Sequence, residues 1–413
     1  MTATRSLFVA ALLVAGVPAQ VDAAAPAVSD AASDVLTTRV IPPAQRELLE
    51  FAFDATVLMP LRPHAVDRCM LQEQVALCCI AHGQFDLALA YAEKITDWRR
   101  GVVQAELAQV AAEQENEELA AALCDRAARA AVAQQNAEAG QPWQSDRIRS
   151  RIAVAYKRLG RLDDAVDMAR LVQSGQTTEF ETEVAGTLDD TAFEAQLQAM
   201  DGALRAGGMQ EAMNLTEIGL VLLERYYGDP SRRERVLDRV ARATKNMPAM
   251  AAIELEARIA GVAASQGDQA EAQRRARAMR ERLATFRMHK EDLMEVRARV
   301  ARTFYEAGAA GEAIDELNET IAFYEQHEDE ILNMFRADGL APVAAAYLAC
   351  GSEPAAVATY RRAIENAALN PNARPRLQDL VLIVCSMVDA GFEPPRVMRD
   401  QLQALRAGLK APW

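Results

Sequence analysis

The chain has 413 residues, a net charge of −14 at neutral pH and a pI near 5.0. That balance argues against general nucleic-acid binding, which needs basic faces, and an acidic excess of this size mostly serves solubility. With 5% aromatic residues and three tryptophans, the chain offers little for an aromatic sugar-binding platform.

In chain order, Arg5 supplies a short positive start, Leu7 to Val17 is an apolar run, and small residues follow. Val17-Pro18-Ala19 and Val21-Asp22-Ala23 both fit the small-x-small pattern of a signal-peptide cleavage site. The expectation is a signal peptide over 1–23, cut after Ala23, and an exported protein, periplasmic or extracellular. Residues 24–44, rich in Ala, Ser, Asp and Pro, read as a flexible linker. Beyond the leader no apolar run reaches the ~20 residues a bilayer span needs. The most apolar stretch, Leu380 to Val388, falls short of it.

From Gln45 onward nearly everything has helical period, and β-branched alternation is absent. An alanine repeatedly falls five residues after a helix-breaking point: Gly83/Ala88, Glu115/Ala120, Gly160/Ala165, Gly207/Ala212, Gly267/Ala272, Gly308/Ala313 and Gly351/Ala356. Ala76, Ala108, Ala153, Ala260, Ala301 and Ala344 stand seven residues before six of these breaks. A repeated helix–turn–helix unit explains both, because small residues let two helices cross closely and the break reverses the chain. In the clearest unit, Ile148, Ile152, Ala155/Tyr156 and Leu159 form one apolar stripe before Gly160. Leu162, Ala165, Val166, Ala169 and Val172 form another after it. The spacing therefore predicts an all-α solenoid of about seven to eight antiparallel hairpins.

Tyr156 through Ala165 resembles the central stretch of the tetratricopeptide repeat family. So do Phe304 through Ala313 and, more loosely, Tyr347 through Ala356. The resemblance covers Ala65 to Ala368, with a degenerate unit around Gly391, and implies a right-handed superhelix; HEAT-type hairpins share the small residues and glycine turns. Successive breaks stand 32, 45, 47, 60, 41, 43 and 40 residues apart, against a family period of about 34. The interval of 60 has room for one unpaired helix, and Ser231 to Lys245 is the candidate, able to bend or divide the array. If the family's geometry holds, positions thirteen, six and three before each glycine face a concave groove. That selects Arg147, Lys157, Glu254, Arg302, Tyr305 and Asp338 as partner contacts. The family's carboxylate-holding Lys/Asn pattern is not recognisable here, so the mode of binding carries over and the partner does not.

Chemistry-bearing constellations are few. Six cysteines do not form a disulfide framework, and most fall on apolar faces, although one bridge such as Cys69 to a neighbour stays open. Among four histidines, only His82 stands at ligand spacing from a cysteine, Cys78, one helical turn away. Two ligands do not make a metal site. Asp163-Asp164, Asp189-Asp190 and Glu328-Asp329-Glu330 read as helix-end or solvated acids. No phosphate loop, nucleophile elbow or dinucleotide fingerprint occurs. Arginine stripes at 147–151, 232–242, 274–282 and 297–302 read as an anion-holding face or as faces neutralised by i,i+4 acids such as Glu271/Arg275 and Glu295/Arg299. No cofactor is implied.

These features favour an exported, non-enzymatic scaffold that holds a protein or peptide along its groove, with neither nucleic acid nor membrane as partner. Two alternatives stand beside it. One is an α/α-toroid enzyme acting on polysaccharide, which would need the chain ends to meet. The other is an envelope structural component with no discrete ligand.

Overall fold

The computed structural model describes residues 36–137, 140–173 and 193–413. The expected signal peptide, most of the expected linker and Asp189-Asp190 lie outside them. Eighteen α-helices, two short 3-10 turns and no strand make up the described residues. The helices are α1 Pro43–Val57, α2 Leu61–Ala81, α3 Phe85–Ala92, α4 Arg99–Glu113, α5 Glu117–Gln135, α6 Pro142–Arg158, α7 Leu162–Arg170, α8 Phe193–Ala206 and α9 Met209–Tyr226. They continue as α10 Pro230–Ala243, α11 Ala249–Ser265, α12 Gln269–Leu283, α13 Lys290–Glu306, α14 Ala310–His327, α15 Asn333–Ala349, α16 Glu353–Ala368, α17 Ala373–Asp389 and α18 Arg396–Ala407. The protein is an all-α solenoid of helical hairpins.

Every predicted break is a left-handed residue, from Gly83 (φ 69°) through Gly351 (φ 77°), and the degenerate unit adds Gly391 (φ 66°). Left-handed backbone costs an L-residue roughly 1–2 kcal/mol, which is why glycine holds these positions. Glu115 is the one non-glycine among them, at φ 59°. At each break but Gly207 the first helix ends in a Schellman pair. At Gly160, for example, Arg161 N–H donates to the Tyr156 carbonyl at 2.9 Å and Gly160 N–H to that of Lys157 at 2.9 Å. The alanine five residues on then supplies the N–H that bonds back to the residue after the break, as Ala165 does to Arg161 at 3.0 Å. All seven of these alanines are buried, and so are the six that precede the breaks. The offsets read from the sequence are thus the signature of the turn and of the close helix crossing beside it.

Neighbouring hairpins stack mainly through their first helices: α2 on α4, α4 on α6, α11 on α13, α13 on α15 and α15 on α17. The interval of 60 contains the additional helix α10, Pro230–Ala243. Asp229 caps α10 by accepting from Ser231 N–H (3.0 Å) and Arg232 N–H (3.1 Å), and Pro230 stands in its first turn. α10 packs on both α8 and α9, turning that hairpin into a three-helix unit.

The chain ends meet. α17 packs against α1 and α2, Arg374 pairs with Asp67 at 3.4 Å, and His82 contacts Asp389 at 2.8 Å. One hydrophobic core runs without interruption from Leu36–Ala165 into Met294–Leu409. The stack is therefore continuous from α8 to α18, across this seam, and on from α1 to α7. The two extremities of the described stack fall in the middle of the sequence, at α7 and α8. Residues 36–42, the described end of the segment read as a linker, lie on the turns of the first two hairpins. Arg39 N–H donates to the Gly83 carbonyl (2.9 Å), Gln84 Nε2 to the Arg39 carbonyl (2.6 Å) and Thr37 N–H to Gln114 Oε1 (2.8 Å). Leu36 is buried in the core.

Candidate functional site

A cleft lies where α10 interrupts the array. About 500 Å³ opens between α10 and the α11–α12 hairpin, floored by Leu237, Ala241, Ile259 and Ala263. Its polar wall is built from Tyr227, Arg233, Asp268, Glu271 and Arg275. Tyr227 donates its hydroxyl to Asp268 at 3.0 Å, and the Arg233 guanidinium lies 4.7 Å over the Tyr227 ring. Burial, then the bond to Asp268, pushes the Tyr227 phenol up to about 12. Asp268 also caps α12 by accepting from Glu271 N–H at 3.2 Å. Arg275 bridges Glu271 and Glu256, both at 2.7 Å. Burial raises the Glu271 carboxyl, but Arg274 and Arg275 outweigh it and hold the group below its ordinary range. The walls thus carry fixed charges of both signs above an apolar floor, an arrangement suited to holding a peptide by its backbone and one apolar side chain.

The six residues selected from the sequence do not line this cleft; they are dispersed along the stack. Arg147 is half-buried in a charge cluster on α2, α4 and α6. It meets Glu73 at 2.8 Å and stacks 5.6 Å over Trp98, while Arg99 reaches Glu73 at 3.3 Å and Asp97 at 2.5 Å. Arg151 in the same row pairs with Glu106. Glu73 is 5% exposed, and burial raises its carboxyl against the pull of Arg147 and Arg99. The half-buried Asp97 is raised for the same reason. Trp98 meets Trp143 edge-on at 5.3 Å, and Trp143 is 39% exposed. Lys157, ten residues along α6, is half-buried.

Glu254 and Arg299 form an ion pair at 2.5 Å across α11 and α13, where with Met250 and Val296 they line a smaller cleft of about 190 Å³. Arg302 and Tyr305 project from the end of α13 and are exposed, Arg302 standing 3.9 Å from Glu306. Asp338 on α15 neighbours the buried Asp379 of α17. Burial and the Asp338 charge push the Asp379 carboxyl up to about 8, although Asn370 donates to it at 2.6 Å. Of the predicted positions, then, only Arg302 and Tyr305 share one exposed patch.

The arginine stripes are largely neutralised, often across hairpins rather than within a helix. Arg151–Glu106, Arg158–Glu113, Arg258–Glu217 and Arg299–Glu254 each link two helices of the stack. The i,i+4 reading holds for Glu271/Arg275 (2.7 Å). The Tyr227 cleft itself was not legible residue by residue. Its signal was the 60-residue interval, which marked the place where the stacking had to change.

No family model matches the chain, and no curated protein matches it. Among solved structures, it is similar to one described as a circular tandem repeat protein with novel repeat topology and enhanced subunit contact surfaces. Identity is 16%, over 88% of this chain and 94% of that one, with a TM-score of 0.23. At so low a score the fold assignment rests on the helix packing described above.

Proposed function

We propose that the protein is an exported helical-repeat scaffold that holds a protein or peptide partner, with the cleft beside α10 as its principal contact. The observation that carries this reading is the cleft itself: an apolar floor under Tyr227, Arg233 and Arg275, opened by the one helix that breaks the repeat. The exposed Arg302 and Tyr305 supply a secondary contact, and a tetratricopeptide-type superhelix remains the nearest comparison for the binding mode. The test is capture of partners from envelope extract on three baits: the wild type, Arg233→Glu with Leu237→Glu, and Arg302→Glu with Tyr305→Ala. A discrete partner lost on the second bait and weakened on the third supports the reading. Equal capture on all three moves the contact elsewhere, and capture of nothing but the chain itself favours the structural-component reading.

A second reading has a specific support. The meeting of the chain ends is the condition the toroid enzyme required, and Glu73 and Asp97 sit with raised carboxyls beside Trp98 and Trp143. Release of reducing ends from an envelope polysaccharide, abolished by Glu73→Gln in a folded variant, would replace the scaffold reading with this one.

A further inference from the structure

The seam brings together residues that the sequence holds three hundred positions apart. Cys78 and His82 stand one turn apart near the end of α2, and Asp389 ends α17 against them. His82 Nε2 lies 2.8 Å from Asp389 Oδ1, and Cys78 Sγ lies 3.6 Å from the same oxygen. The three ligand atoms fall within 4.8 Å of one another. Ligands at zinc bond lengths of ~2.0–2.3 Å stand roughly 3.3–3.8 Å apart on a tetrahedron, so small side-chain shifts would bring these atoms onto one ion.

We propose that Cys78, His82 and Asp389 form a transition-metal site, suited to Zn²⁺, that fastens the C-terminal helices to the N-terminal ones. Three protein ligands leave the fourth position to solvent. Cys78 is buried, His82 is partly accessible and Asp389 is open to solvent, which gives an ion a path in from the Asp389 side.

The donor set decides the class of ion: a sulfur and an imidazole beside one carboxylate favour zinc or cobalt over magnesium or calcium. Binding proceeds with balanced charge. The Cys78 thiol gives its proton to solvent and binds as thiolate; His82 binds through neutral Nε2 with its proton on Nδ1; Asp389 binds as carboxylate. The contact between His82 and Asp389 is then replaced by two bonds to the same ion. Because the three ligands straddle α2 and α17, the ion adds stability to the seam itself.

The test uses the full chain, reduced, freed of metal by a chelator and titrated with Co²⁺ and then Zn²⁺. The expected result is one equivalent of Co²⁺ with thiolate-to-metal charge-transfer and tetrahedral d–d absorption, displaced by Zn²⁺, and a Zn²⁺-dependent rise in Tm. His82→Ala and Asp389→Ala should each weaken binding at least tenfold. Cys78→Ser should abolish the charge-transfer absorption, and Cys69→Ser should change nothing. Circular dichroism establishes that each variant is folded, and the wild-type titration stands without them. Absence of a one-equivalent complex in the micromolar range or tighter would overturn the proposal. So would binding indifferent to both His82→Ala and Asp389→Ala, or a Cys78–Cys385 disulfide in the protein as isolated.

Discussion

The seam and the α6–α7 hairpin are built from the same sequence signals and end in opposite conditions. At the seam, Leu377, Leu380, Val381, Ile383 and Val384 of α17 are fully buried, enclosed by α1, α2, α15, α16 and α18. In α7 the predicted stripe is present, yet Ala165 alone is fully buried; Leu162 is 59% exposed and Val166 38%. Helical period states that a stripe exists. What covers it is decided by the neighbour, and α7 stands at one extremity of the described stack while α17 stands in its interior.

The largest test of that contrast is a matched pair of core deletions. Leu380→Ala should cost about 2–5 kcal/mol, and Leu162→Ala should stay within roughly 0.5 kcal/mol of wild type. Denaturant midpoints of both variants decide it, and equal losses would break the comparison.

A second test uses titration inside the seam half. Asp379 is 2% exposed with its carboxyl raised to about 8. A raised acid keeps its proton in the folded state after the unfolded state has lost it. Its contribution to stability is therefore present below the ordinary carboxylate range, falls as pH rises, and is lost above about pH 8. Asp379→Asn should gain stability over wild type in step with that loss, on the order of a few kcal/mol at pH 9. Unfolding curves from pH 4 to 9 read this directly, and a pH-independent difference would contradict it.

A smaller effect separates the turns. Gly83 and Gly160 have similar left-handed backbones, but a Cβ at Gly83 would stand 2.6 Å from Arg39 Cβ, whereas Gly160 has open space. Gly160→Ala should cost about 1–2 kcal/mol from backbone conformation alone. Gly83→Ala should cost more, and the excess should vanish when residues 36–42 are deleted. Smallest of all, Glu115→Gly should stabilise by up to about 1 kcal/mol, because it relieves the one left-handed non-glycine.

Much of the fold was legible. The breaks at Gly83, Glu115, Gly160, Gly207, Gly267, Gly308 and Gly351 are local events, written in residues within a dozen positions of each other. The α10 insertion was legible as length. The seam was not, because it rests on contacts such as Arg374–Asp67 and His82–Asp389 that no local window contains. The same reason hid the partner of Arg147: its charge reads as available until Glu73, two hairpins earlier, folds against it at 2.8 Å. Cys78 and His82 looked like half a site for want of Asp389. Periodicity locates helices and turns; it does not give the long-range pairing that makes a site from them.

The packing of α17 on α1 and α2 is tested most directly by a distance in solution. Spin labels introduced through noncanonical residues at Val66 on α2 and Arg374 on α17 leave the native cysteines intact. The account predicts one narrow distribution within about two helix diameters, roughly 20–25 Å. A broad or long distribution, several helix diameters away, would mean that the array is an open superhelix and that the seam does not exist.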